Sequence, residues 1–163
     1  MILDNFEVFS GAISAAGAMS GQLITANSTL STNTKDLAPL TIGGNQVVDE
    51  GAGEVVNVAV SILVAPTTCT DVQFQLIQAD DAALTSNVQI ITESGPIAIA
   101  SLPAGTVVPL RWDRAAPLAP KRNVGLRYVC TGSTVAALSV FAGVVNNIQD
   151  VKNILFKSGF AVL

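Results

Sequence analysis

The sequence predicts an all-β protein, an antiparallel jelly-roll sandwich of about eight to nine strands with N-terminal and C-terminal arms. Three observations predict it. Apolar residues alternate with polar or small ones at period two in several segments, and a strand stacks such residues on one face where a helix would scatter them. Turn chemistry recurs every ten residues or so, and no long helical pattern separates the segments. Half of the 163 residues are hydrophobic and only 12% are charged, enough apolar surface for one sizeable core. An immunoglobulin-like sandwich is the second architecture compatible with the pattern.

Along the chain, residues 1–30 read as an N-terminal arm with the first strands, at 6–10 and 22–31. Residues 11–21, small and polar, read as a loop or an arm lying on something else. In 54–64, Val56, Val58, Val60 and Ile62 oppose Asn57, Ala59 and Ser61. In 71–78, Val72, Phe74 and Leu76 oppose Gln73 and Gln75, with Ile77 as an exception. Short strands are expected at 87–92, 96–101 and 106–111. Val124, Leu126, Tyr128 and Cys130 form the next alternating set. Residues 134–145 are apolar on both faces, as expected for a sandwich centre or an oligomer interface. The expected turns include Gly43-Gly44-Asn45, Gly51-Ala52-Gly53, Ala65-Pro66, Gly95-Pro96, Pro103-Ala104-Gly105, Pro117 through Pro120 and Thr131-Gly132-Ser133. Residues 146–163 form a C-terminal arm or a short helix through Ile148, Val151, Ile154 and Leu155. With no linker or repeat, 1–163 reads as one domain.

Composition narrows function. The chain has no histidine, so the commonest general base, metal ligand and near-neutral proton switch is missing. No enzyme, cofactor or metal is expected. Asp49, Glu50 and Glu54, like Asp80-Asp81, lack calcium-loop spacing and read as turn acids. Gly51-Ala52-Gly53 precedes a strand, whereas a phosphate cradle needs a helix N-terminus. Cys69 and Cys130 are expected to be free buried thiols. The acidic start and the interrupted uncharged stretches predict neither a secretory signal nor a membrane span.

Charge is unevenly distributed. Residues 1–100 hold ten acids and one base, Lys35; residues 101–163 hold two acids and seven bases. Arg111, Arg114, Lys121, Arg122 and Arg127 lie close together in sequence, with Trp112 among them. At a pI of about 4.5, with few interleaved aromatics, nucleic acid is not the expected partner. These six residues form the candidate interface, as a docking patch for an acidic protein surface. The competing reading places the cations at strand ends and Trp112 over the end of the sandwich.

The chain also resembles the jelly-roll capsid cement (decoration) proteins of tailed bacteriophages, as typified in a Bordetella phage. The resemblance rests on Met1-Ile2-Leu3-Asp4-Asn5, Ser31-Thr32-Asn33 ahead of Asp36-Leu37, Gly51-Ala52-Gly53-Glu54 and Asp80-Asp81-Ala82-Ala83-Leu84-Thr85-Ser86. It continues through Leu102-Pro103-Ala104-Gly105-Thr106, Arg122 with Leu126-Arg127-Tyr128, and Ser158-Gly159-Phe160. It implies a structural virion protein, made in the host bacterial cytoplasm, that binds the outside of an HK97-type capsid and stabilises it. The implied partners are the major capsid protein and the chain itself, as a homotrimer or homodimer. A carbohydrate-binding or receptor-binding β-sandwich of a phage tail or cell surface is the alternative.

Overall fold

The fold was read from a computed structural model that describes residues 7–15, 18–37, 55–112 and 121–145, together with the backbone of two short strands at 41–42 and 45–46. In chain order the strands are β1 (Val8–Ser10), β2 (Ala12–Ile13), β3 (Met19–Ser20), β4 (Gln22–Ile24), β5 (Ser28–Leu30), β6 (Lys35–Asp36), β7 (Thr41–Ile42) and β8 (Asn45–Gln46). The long strands follow: β9 (Val56–Val64), β10 (Thr67–Ala79), β11 (Gln89–Ala98), β12 (Val107–Trp112), β13 (Asn123–Ala136) and β14 (Leu138–Val145). A single 3-10 turn, Ile99–Ser101, separates β11 from β12.

Two five-stranded antiparallel sheets make the sandwich. The front sheet runs β1-β14-β9-β12, with β4 also on β14; the back sheet runs β11-β10-β13-β5, with β6 also on β13. β1 and β4 lie end to end along one edge of β14, and β5 and β6 do the same along β13. Each pair fills one position, so the sandwich has eight positions. In chain order they fall front, back, front, back, back, front, back, front. The front sheet then reads 1-8-3-6 and the back sheet 2-7-4-5, which is jelly-roll topology.

Alternation places the core. Val58, Val60 and Ile62 from β9 meet Val72, Phe74 and Leu76 from β10, and Leu126 and Tyr128 from β13, in one buried cluster. Phe74 and Tyr128 pack edge to face with ring centroids 5.9 Å apart. The Tyr128 hydroxyl crosses the core to the buried Ser10 hydroxyl at 2.6 Å, so neither polar group is left unsatisfied. Ile77, which breaks the polar alternation, lies under Leu84 in a satellite cluster with Ala79, Leu30 and Val88. Gly125 makes room for that lid: a Cβ there would stand 2.4 Å from a Leu84 methyl.

Several sequence expectations need correction. Segment 22–31 is two strands, β4 in the front sheet and β5 in the back, because the chain changes sheets between them. Segments 87–92 and 96–101 are largely one strand. Pro96 is tolerated because β11 is an edge strand, and the Gly95 turn chemistry makes a bulge opposite Phe74. Likewise Thr131-Gly132-Ser133 lies within β13, where Gly132 at φ 85° accommodates a register shift. Residues 11–21 include the hairpin β2-β3, which departs from the edge position between β1 and β4. Calls for residues 1–6 and 146–163, and the turns at 51–53 and 117–120, lie outside the described residues.

At one corner the long strand pairs pass together from one sheet to the other. β9 leads into β10 through Ala65-Pro66, and β13 leads into β14 through Ala137 alone. The Thr67 hydroxyl donates to the Ala136 carbonyl at 2.9 Å and the Thr68 hydroxyl donates to that of Thr134. The sharp passage forces Thr68 (φ 71°) and Ala137 (φ 60°) into the left-handed region. Ala137 is exposed and glycine adopts this conformation without strain, so Ala137→Gly should leave stability unchanged or raise it by up to about 1 kcal/mol, where the same change inside a strand costs about that much. A thermal melt checks the sign.

Candidate docking surface

The structure separates the five candidate residues that it describes. On β12 the burial pattern alternates, with Val108, Leu110 and Trp112 facing the core and Pro109 and Arg111 facing out. Trp112 is 5% exposed and belongs to the central cluster, so it is a core residue and offers no surface to a partner. Arg111 is exposed, and no side-chain hydrogen bond or ion pair to another described residue ties down its guanidinium. Arg114 lies outside them.

The other three cations lie on β13 or just ahead of it, on the back-sheet side, and are engaged. Lys121 Nζ stands 2.8 Å from Asp80 Oδ1, and it is largely covered. With a hydrogen bond from Asn87, that ammonium holds the Asp80 carboxyl below its ordinary range. Arg122 donates from Nε and Nη2 to the two oxygens of Asp36 at 2.8 and 2.7 Å, and the carboxylate raises the guanidinium's own pKa. Arg127 Nε donates to Gln75 Oε1 at 2.7 Å, and Gln75 Nε2 donates to Glu93 Oε2 at 2.9 Å. These three residues form a polar row across β13, β10 and β11 on the outer face of the back sheet.

Antiparallel pairing therefore cancels much of the charge asymmetry read along the chain. Acids of the first half, Asp36 and Asp80, neutralise bases of the second, while Lys35 bonds Glu7 at 2.9 Å. A contiguous basic patch does not form among the described residues. The reason is topological: β12 and β13 are successive strands in opposite sheets, so Arg111 and Arg127 leave the sandwich on opposite sides.

The front sheet's outer face has a feature that sequence reading missed. Leu23 pairs with Ser139, which pairs with Val64, so the two apolar residues flank a serine in one row. They are 59% and 47% exposed. A register shift at Leu63 turns Val64 to the outer side, against the alternation of β9. Further along that face, Phe141, Val145 and Ala59 are buried within the single chain. The apolar outer side of β14 is thus covered already and does not of itself require a second copy.

Among the described residues there is no group of three or more potential metal ligands, and no helix is long and apolar enough to cross a membrane. Asp81 is held by its own loop, accepting hydrogen bonds from Thr85 and Ser86 that lower its pKa.

The family model Bbp16 matches residues 18–144, which span the long strands of the sandwich up to the penultimate residue of β14. The chain belongs to the Bbp16 family. Bbp16 is a family of Bordetella phage proteins. No curated protein matches the chain. Within the Bbp16 match, three of the motifs noted in the sequence lie at turns and joints. The Ser31 hydroxyl donates to the Asn33 carbonyl at 2.8 Å and accepts from the Leu126 amide at 3.0 Å, joining β5 to β13. Residues 80–86 form the loop that bears Leu84, and Gly105 (φ 89°) returns the chain to β9, its N–H donating a hydrogen bond to the Ile62 carbonyl at 2.7 Å.

Proposed function

We propose that this Bbp16-family chain is a capsid cement protein, which binds the outer surface of an HK97-type phage capsid and stabilises the assembled shell. Membership of a phage protein family, over residues 18–144 of the jelly roll, is the observation that carries this reading. Its role is structural and uses no catalysis, metal or cofactor. The partner is the major capsid protein, and the chain acts as a homodimer or homotrimer. The front sheet's outer face is the favoured docking side, since it presents Arg111 and the exposed pair Leu23 and Val64.

The five described aromatics, Phe9, Phe74, Trp112, Tyr128 and Phe141, are all buried. Carbohydrate modules depend on exposed rings, so this distribution favours the cement reading over the sugar-binding one.

A ligand that binds only the assembled state stabilises it by mass action. Purified protein added to undecorated capsids should therefore raise their resistance to heat. Capsids equally stable with and without it would remove the cement role and bring receptor binding forward. Decoration should also respond to charge. Arg111→Glu should slow attachment several-fold, and half-molar salt should weaken it, because exposed charges act mainly on association and are screened. Attachment rates unchanged by both would assign docking to apolar contacts.

A further inference from the structure

Cys69 and Cys130 lie on neighbouring strands, β10 and β13, and both face the core at 4% exposure. Cys130 pairs with Val72, three residues along β10 from Cys69. A bulge removes one of those steps: Cys69 pairs with Gly132 and Asp71 with Thr131, leaving Thr70 as the extra residue. The cysteines thus become diagonal neighbours on one face. Such neighbours stand roughly 7–8 Å apart in a regular ladder, whereas a disulfide spans Cα separations up to about 6.8 Å. A bulge strengthens local twist and shifts the diagonals away from regular spacing. Gly132, at φ 85°, puts a flexible residue at this bulge.

We propose that Cys69 and Cys130 are a closable cross-strand dithiol, reduced in thiol-rich surroundings and oxidised by a low-molecular-weight disulfide to a bond that joins β10 to β13. Each cysteine gives up its hydrogen as the new sulfur–sulfur bond forms. The reagent's own disulfide breaks, and its two halves leave as thiols holding the two protons and two electrons. A mixed disulfide formed at either cysteine is resolved by the other, which lies beside it in a close-packed core.

Burial, together with the charge and hydrogen bonding of Cys69, pushes the Cys130 thiol up to about 11. Closure should accordingly be slow at neutral pH and faster in mild alkali, where more thiolate forms.

The test uses the isolated chain, so it stands or falls apart from the cement reading. Purified protein is incubated with oxidised glutathione at mildly alkaline pH, then denatured, alkylated and weighed intact. The expected product lacks two hydrogens, takes up no label, and recovers both labels after reduction. Its Tm should rise by on the order of 5 °C, since a cross-link closing a long loop constrains the unfolded chain. Cys69→Ser and Cys130→Ser should each retain one labelled thiol or bear one glutathione. Wild-type protein that keeps two labelled thiols, carries two glutathiones or forms disulfide-linked dimers would overturn the proposal.

Discussion

Replacing Trp112 by alanine should lower the free energy of unfolding by about 3–5 kcal/mol, the range for a large aromatic removed from a packed core. The side chain sits at the inner face of β12, opposite Val56, in the cluster shared by both sheets. Alanine would leave a cavity that neighbouring strands, fixed by their ladders, cannot fully close. Arg111, one residue earlier, points out, and Arg111→Ala should change stability by less than about 0.5 kcal/mol. Urea denaturation of the two variants separates core from surface directly. A Trp112→Ala loss below about 1 kcal/mol, accompanied by failure to bind capsids, would return Trp112 to the interface.

The second large effect should appear in alkali. Burial pushes the Tyr128 hydroxyl far above its ordinary value of 10.0, and pushes the Cys130 thiol from 9.0 up to about 11. Both folded pKa values are raised, so the unfolded chain releases these protons first. Their contribution to stability is complete below pH 9 and disappears as pH rises, from about 9 to 11 for Cys130 and above 10 for Tyr128. Together the two groups should remove about 3–4 kcal/mol by pH 11, at roughly 1.4 kcal/mol per proton per pH unit. Tyr128→Phe should reduce the slope above pH 10. At neutral pH it should cost about 1–3 kcal/mol, because the buried Ser10 hydroxyl loses its partner. Melts at pH 8, 9.5 and 11 measure both effects. An unchanged slope in Tyr128→Phe would mean that Tyr128 ionises without unfolding.

The strand interiors were legible because alternation is a local signal. Val58, Val60 and Ile62, and likewise Phe74 and Leu76, face the core as their spacing requires. Strand ends were less legible, since the same residues serve as turns or bulges. Gly95-Pro96 and Thr131-Gly132-Ser133 have turn chemistry, yet paired neighbours keep β11 and β13 running through them. Ala137, which makes the tightest turn, has no turn signature; the positions of β13 and β14 impose its conformation.

The candidate interface was only partly legible, for a related reason. Local sequence grouped the cations from Arg111 to Arg127, but a single sheet change between β12 and β13 divides them. Alternation along β12 would have placed Trp112 opposite Arg111. The exposed Leu23 and Val64 carried no such signal, because a bulge in β9 reverses the expected side.

Sequence by itself determined the all-β class, the apolar faces of the long strands and the lack of histidine chemistry, because these follow from residue type and period two. Tertiary structure alone decided which strands share a sheet, which cations meet Asp36, Asp80 and Gln75, and which apolar residues remain outside. Those outcomes depend on pairings between residues far apart in the chain. Lys121 meets Asp80 and Arg122 meets Asp36 only because antiparallel ladders bring distant segments together, and no local pattern encodes that register.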